Sequence, residues 1–491
     1  MRKVFIAFII YLLPQYYASA QHVEHYSNRL LHGVSDTYIH GIYPADFISI
    51  GRDTSLLKNW WLRKLFYEDF VVIKKEKLAL ELNPVLYVDM KQMGSTRYLL
   101  NGRAIRIRGT FGEKVKFYSA FFENQATFPD YLNDYVKQTL VVPGQGASKI
   151  FESNGHDFSR VESSFDYSAV KWLNISVGQG KHFIGYGYRS LLWSDYSNTY
   201  PYLSLRLSHN GWKYFWMLSE QNFFKYKYYA YHTRRPASVM HLSWEYDNKF
   251  AISFTEITIW NPRLEGENNY YWLKLLPIPI MNTISSETGI HRTNNILGLN
   301  MMYKPMENIK LYSQLVADFI SLADVGFSST LQVGFSVAQP QWLTNMNHHV
   351  LIHAELNMVG KSMYTSPDAY MAHMHYNQPM SHPLGNDFSE FCMIADYRYK
   401  RIGVHLKMNA VYRDSAVSTD SWIPNAEVNN YGELLKYDRK MSYTDVKLYL
   451  VINPRTNLQL HIGYMQRNFV LNQKFYYITL SSQLYSYYTD I

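Results

Sequence analysis

From about Glu76 the chain alternates apolar and other residues with a period of two. Leu78, Leu80 and Leu82 share one side of the alternation, then Ile105, Ile107, Gly109 and Phe111. Gly112-Glu113-Lys114 interrupts the pattern, and Val115, Phe117, Ser119 and Phe121 resume it. The rhythm returns at Leu173, Ile175 and Val177, at Met240, Leu242, Trp244 and Tyr246, and at Ile309, Leu311, Ser313 and Leu315. It returns again at Val446, Leu448, Leu450 and Ile452, and at Leu458, Leu460, Ile462 and Tyr464. A period of two is that of a strand, whose successive side chains point to opposite faces.

The connections alternate as well. Short turns near 112–114, 168–171, 209–211, 247–249, 304–308, 339–346, 400–401 and 453–457 define one end. Long polar and aromatic segments near 124–157, 181–200, 220–236, 261–293, 358–388 and 413–440 define the other, with shorter links near 91–102, 320–328 and 469–473. Bacterial outer-membrane barrels have this asymmetry, with short periplasmic turns and long outer loops, and their tilted strands need roughly ten residues each. Lipid offers backbone N–H and C=O groups no partner, so strands that span it must close on themselves. The spacing predicts an all-β fold, an antiparallel transmembrane outer-membrane β-barrel of about 18 strands over residues 76–491, both chain termini being periplasmic. Lys474 to Tyr488, with Ile478, Leu480 and Leu484, reads as the closing strand. A soluble β-sandwich or propeller would share the alternation, but no blade-length repeat occurs and the turn asymmetry counts against both.

The residues before the alternation read differently. Met1-Arg2-Lys3, the apolar Val4 to Leu13 and Ala18-Ser19-Ala20 have the layout of a cleaved export signal over residues 1–20. Residues 21–75 read as a small N-terminal periplasmic helical segment. Leu57, Trp61, Leu62 and Leu65 fall on one helical face within Thr54 to Phe66, and Thr54 or Ser55 can cap its start.

Composition narrows the class. With 44 Tyr, 11 Trp and 16% aromatics, the chain is suited to membrane interfaces or sugar-stacking surfaces. No long apolar run follows the N-terminus, which excludes a bundle of membrane helices. Cys392 is the only cysteine, which excludes a disulfide scaffold. The net charge of +8 falls to +6 without Arg2 and Lys3, and it is scattered. Without a basic stripe, nucleic acid is not an expected partner.

Two segments stand out as candidate chemistry. Gly178 to Asp195 is rich in glycine and charge, but Gly180-Lys181-His182 lacks the Ser/Thr of a phosphate loop. Gly185 and Gly187 let the backbone turn inward, where Arg189 and Asp195 bond inside the barrel or meet a ligand. Structural use outweighs ligand contact, because a buried charge needs a partner in any case. The second segment, Tyr376 to Phe391, lies in a predicted long outer loop. His373, His375 and His382 could hold a metal, but His-x-His without an acid at ligand spacing favours loop hydrogen bonding or stacking. No metal or cofactor is therefore expected. Ser190, Ser194, Asp195 and His182 are neighbours, yet no nucleophile motif frames them, so no catalytic residue and no enzyme activity is expected.

These segments carry a resemblance. Phe183 to Asp195, with Gly185, Gly187, Tyr188, Arg189, Ser190 and Asp195, resembles a signature of Bacteroidetes outer-membrane proteins whose core is F-I-G-x-G-Y-R-S-L-L-x-S-D. His382, Pro383, Leu384, Gly385, Phe388 and Glu390 resemble their H-P-L-G-x-N-F-x-E pattern, with Asn386-Asp387 departing from it. Trp61 to Phe66 and Leu82 to Leu86 are also similar to that group. Such proteins are described as similar to the Wzi capsule-assembly family or to the gliding-motility protein RemB. The resemblance implies an 18-stranded outer-membrane barrel with a helical periplasmic part. It implies a lectin-like hold on capsular polysaccharide, or partnership with envelope proteins.

Sugar binding has separate support in the residues. Phe223 to Arg235 interleaves aromatics and bases, with Tyr228, Tyr229, Tyr231 and Arg234 at its centre, and Trp272 follows Tyr270 and Tyr271. Aromatic faces stack on sugars, and Arg or Lys pairs with uronate or sulfate. Arg189 is the candidate ligand residue within the inward segment. The competing reading of Phe223 to Arg235 is an extension of a strand pair above the membrane. The candidate partners are thus outer-membrane lipid, surface polysaccharide and envelope proteins. The functions in competition are polysaccharide binding, a gliding or secretion scaffold, and a diffusion porin.

Overall fold

A computed structural model describes residues 37–39, 59–151, 154–224, 232–260, 276–278, 282, 293–319, 327–338, 348–366, 369–413, 439–469, 471–482 and 490. Eighteen antiparallel strands close into one barrel. They are β1 (Leu78–Met93), β2 (Thr96–Phe111), β3 (Val115–Thr127), β4 (Gly155–Val170), β5 (Leu173–Gly180) and β6 (Tyr200–His209). Then come β7 (Trp212–Phe224), β8 (His232–Tyr246), β9 (Phe250–Trp260), β10 (Thr293–Met306), β11 (Ile309–Phe319) and β12 (Phe327–Ala338). The wall ends with β13 (His348–Val359), β14 (Phe388–Tyr399), β15 (Ile402–Arg413), β16 (Lys440–Asn453), β17 (Leu458–Asn468) and β18 (Asn472–Ser481). Each pairs with the next, and β18 closes on β1 with Tyr476 to Ser481 opposite Gln92 to Tyr87. Past that seam a short strand, Val71–Lys74, takes over the same edge of β1, opposite Leu82 to Ala79. Each of the eighteen wall strands thus has a partner on both sides, as a wall in lipid requires.

The alternation sorts the side chains. Leu315, Val333, Phe335, Leu356, Phe391 and Met408 are exposed on the outer face. Their neighbours Gln314, Gln332, Glu355, Asn357, Glu390, Lys407 and Asn409 are buried on the inner face. At the short-turn end, exposed Phe111, Tyr167, Trp212, Tyr246, Tyr303 and Tyr399 ring the outer wall, as an aromatic girdle at an interface does.

Several expectations need correction. The 91–102 link is strand on both sides of a two-residue turn at Gly94-Ser95, where Gly94 takes a positive φ of 60°. The strands flanking 220–236 run on to Phe224 and restart at His232, so the strand-extension reading holds for the described ends. The closing strand starts at Asn472 and ends at Ser481; Leu484 lies outside the described residues. The 124–157 connection contains a helix, α2 (Asp130–Thr139), whose Leu132 and Val136 pack on Leu100, Phe128 and Phe158. Its four-residue apolar spacing lies between two strand patterns and is hidden by polar Asn133, Asp134 and Lys137.

The N-terminal helix, α1 (Trp60–Phe66), is capped by Asn59, whose side chain accepts from the Trp61 N–H, and not by Thr54 or Ser55, which lie outside the described residues with Leu57. Its expected buried face is open: Trp61 and Leu65 are exposed. The helix is tied to the barrel through its backbone, since Asn453 Nδ2 donates to the carbonyls of Lys64 and Glu68 at 2.9 and 3.1 Å.

Candidate functional site

Two long connections fold into the barrel, residues 181–199 between β5 and β6 and residues 360–387 between β13 and β14. In the first, every residue is buried. Both enter from the long-loop end, so the second is an inward plug and not the exposed outer loop that its polarity suggested. Leu191, Leu192 and Trp193 supply the apolar part of the plug and pack against inner-wall Val239, Ile257, Ile296 and Val316.

The plug is fastened to the wall by carboxylates and amides of inward-facing strand positions. Glu355 on β13 accepts the backbone N–H of Tyr188 at 2.9 Å and of Arg189 at 3.0 Å. Tyr312 Oη donates to the same carboxylate at 2.7 Å. Gln314 Oε1 accepts the Leu191 N–H, and Gln332 Nε2 donates to the Arg189 carbonyl. Irregular backbone at membrane depth is stable only when its polar groups are met by protein in this way.

The two family-motif segments meet at Glu390. Its carboxylate receives Arg189 Nη2 at 3.2 Å, His382 Nε2 at 2.7 Å, Asn357 Nδ2 at 3.1 Å and Asn409 Nδ2 at 2.7 Å. The His382 Nδ1 accepts the Leu384 N–H, which assigns the proton to Nε2. Arg189 also pairs with Asp490 at 2.6 Å. Ser194 and Ser381 join the two loops directly, the Ser194 hydroxyl donating to the Ser381 carbonyl and the Ser194 N–H to the Met380 carbonyl. Pro383 and Gly385 form the buried turn between them, with Gly385 at φ 73°, and the Phe388 ring lies 4.5 Å from that of His382.

The glycines are used as the sequence suggested. Gly185 adopts φ 139°, a conformation open to glycine alone. A Cβ on Gly187 would lie 2.7 Å from Glu355 Oε2 and 3.0 Å from both the Arg189 carbonyl and Gln332 Oε1. Gly187→Ala is expected to destabilise the barrel by about 1–3 kcal/mol through overpacking. A denaturant midpoint equal to that of wild type would refute the tight fit.

The three histidines are occupied by hydrogen bonds. His373 Nε2 meets the Leu192 carbonyl, and His375 bonds the Thr199 carbonyl and the Asn222 N–H. Burial, partly offset by those carbonyls and reinforced by nearby Arg235, pushes both rings down to about 3. Among the described residues no group of His, Cys, Asp and Glu is placed to hold a metal. Burial, with Arg160 nearby, brings Lys181 down to about 7, its ammonium donating to the Gly144 and Asp195 carbonyls. The Ser190 hydroxyl donates to the Ile184 carbonyl, and His182 Nδ1 bonds Tyr200 Oη. Ser190, Ser194 and His182 are thus bonded to carbonyls and to Tyr200 and not to one another.

Of the aromatic-basic candidates, Tyr228, Tyr229, Tyr231 and Trp272 lie outside the described residues. Arg234 is exposed on β8 and pairs with Glu220 at 3.2 Å. Its neighbour Arg235 points inward and donates to the Tyr370 and Met374 carbonyls of the second plug segment. Sequence reasoning missed Glu355, Gln314, Gln332, Lys407, Asn409 and Asp490. The available signal was the recurrence of carboxylates and amides at inward positions of neighbouring strands.

No protein-family model matches the chain, and no curated protein matches it. Solved structures similar to it define an outer-membrane β-barrel fold. One is Wzi of Escherichia coli, an outer-membrane protein involved in group 1 capsule assembly and a carbohydrate-binding β-barrel. Its TM-score is 0.54 at 10% identity, over 82% of this chain and 83% of that one. Another is Pseudomonas aeruginosa OpdK, solved with vanillate, at TM-score 0.45 and 9% identity over 82% and 97%. A BenF-like porin from Pseudomonas fluorescens Pf-5 has TM-score 0.44 and 8% identity over 85% and 98%.

Proposed function

We propose that this chain is a plugged outer-membrane barrel that holds surface, capsule-type polysaccharide at its long-loop end, in the manner of a lectin. The observation that carries this reading is the lumen itself: two loops cross it and are bonded to Glu355, Gln314, Gln332 and Glu390 of the wall. A barrel closed in this way is built to present its outer surface. The fold likeness to the carbohydrate-binding barrel Wzi agrees with it. In this reading residues 1–20 are an export signal and α1 lies on the periplasmic side. Residues 37–39, paired with His182–Ile184 of the plug, Val71–Lys74, paired with β1, and Asp490, in the lumen, depart from the wholly periplasmic N-terminal segment and chain ends that the sequence suggested. The wall from residue 76 meets lipid, and the protein performs no catalytic step.

The test is binding of the detergent-folded protein to the cell's own surface polysaccharide, beside a variant with Tyr228, Tyr229, Tyr231 and Arg234 changed to Ala. Saturable binding weakened in the variant supports the reading. Binding unchanged in the variant keeps the lectin role and moves the glycan site to other residues of the long-loop end, since the Arg189 segment is buried. No binding by wild type rejects the lectin role and leaves a scaffold for envelope proteins, as the sequence likeness to RemB suggests. A porin role predicts steady conductance in planar bilayers. The plugged lumen predicts none, and stepwise wild-type currents would overturn that.

A further inference from the structure

We propose that Arg189, Lys407 and Asn409 form a carboxylate-binding site inside the lumen, filled here by the chain's own Asp490 and open to an external carboxylate in its place. Three donors converge on one oxygen: Lys407 Nζ lies 2.5 Å from Asp490 Oδ2, Arg189 Nη2 2.6 Å and Asn409 Nδ2 3.3 Å. All three residues and Asp490 are buried. Two charged donors and a neutral amide around one acceptor is the arrangement that recognises a carboxylate.

The cradle does not depend on its occupant for its shape. Arg189 is held by Glu390 and, through its backbone N–H, by Glu355. Asn409 donates to Glu390 Oε1 at 2.7 Å. Lys407 donates to Tyr188 Oη at 2.6 Å and lies 4.6 Å from the centre of that ring. Lys407 and Asn409 stand two residues apart on β15, inside the hydrogen-bonded wall. Asp490 follows the last barrel strand, which ends at Ser481, and is not part of the wall.

Charge sets the need for an anion. Glu390 faces Arg189, and Asp490 is the carboxylate that faces Lys407. Without Asp490 the buried ammonium would lose its ion-pair contact and keep only Asp445, opposite it in register on β16 and already accepting from Tyr477. A buried charge without a close counter-charge is costly. An acid from solution restores the balance with no change to the cradle. A free organic acid and a uronate unit of a glycan share this chemistry, and size separates them.

The experiment uses the full-length protein folded in detergent and reads its thermal unfolding midpoint. Asp490→Ala is expected to lower the midpoint. Sodium acetate, against sodium chloride at equal ionic strength, is expected to raise it again in a saturable way while leaving wild type unmoved. Galacturonate tested beside acetate separates the sources. Rescue by both shows that a sugar acid fits, and rescue by acetate alone confines the site to small acids. Lys407→Met added to Asp490→Ala is expected to abolish the rescue. The proposal fails if Asp490→Ala unfolds at the wild-type midpoint, if acetate moves wild type equally, or if the double variant is rescued as well. Should Asp490→Ala not fold alone, recovery of folded barrel in acetate but not in chloride counts for the site. No recovery in either salt counts against it.

Discussion

Arg189→Met is expected to destabilise the barrel by about 3–5 kcal/mol, because it removes one partner of a buried ion network and strands the others. Glu390 and Asp490 both face the guanidinium, at 3.2 and 2.6 Å, and none of the three is more than 1% exposed. The methionine keeps the bulk of the side chain, so the loss reports charge and hydrogen bonding. Arg189→Lys is expected to fall between the two, since a single ammonium cannot serve two carboxylates as a planar fork does. Arg189→Met is also expected to leak: with the guanidinium contacts to Glu390 and Asp490 gone and only the backbone bonds and apolar packing left, bilayer recordings should show transient currents that wild type lacks. Wild-type stability together with wild-type silence in Arg189→Met would show that the backbone bonds to Glu355, Gln314 and Gln332 and the apolar packing of Leu191, Leu192 and Trp193 hold the plug without the guanidinium.

Acid is the second lever. His373 and His375 sit in the plug with their pKa values pushed down to about 3 by burial, against 6.5 for a free ring. The folded state therefore refuses protons that the unfolded chain takes up below 6.5. The stabilisation is complete above pH 6.5, falls as pH drops below it, and is exhausted near pH 3. Within that window each ring contributes a slope of about 1.4 kcal/mol per pH unit. Denaturant midpoints in detergent should fall steeply from pH 6.5 to 4. In the His373→Asn, His375→Asn double variant the slope should flatten, even if absolute stability is lower. An unchanged slope would place the acid response elsewhere in the molecule.

The wall was legible from sequence because each side of a barrel faces one solvent. Leu315 beside Gln314 and Phe391 beside Glu390 record lipid and lumen in alternation. Short turns such as Asn210-Gly211 and Asp247-Asn248 were legible too, since their positive φ values demand those residue types. The plug was half legible: Gly185 and Gly187 announced an inward turn, and Arg189 announced a buried partner. The partner itself was not legible, because Glu390 is 201 residues away and nothing local pairs the two. The second plug segment was misplaced outside because its polar residues, Ser381, His382 and Asn386, resemble a solvated loop. They are polar because the inner wall that they meet is polar.

That separation along the chain governs how the molecule is made. Arg189 must wait for Glu390, 201 residues later, and for Asp490, 301 residues later, before its charge is matched. Contacts this distant in sequence are slow to form, since the chain entropy of closure must be overcome before any of them is realised. The charge of Arg189 is therefore fully matched only after the chain has been made through Asp490, beyond β18. Until then the guanidinium carries unmatched charge that is costly to bury, so biogenesis of this barrel is expected to keep the Arg189 loop hydrated.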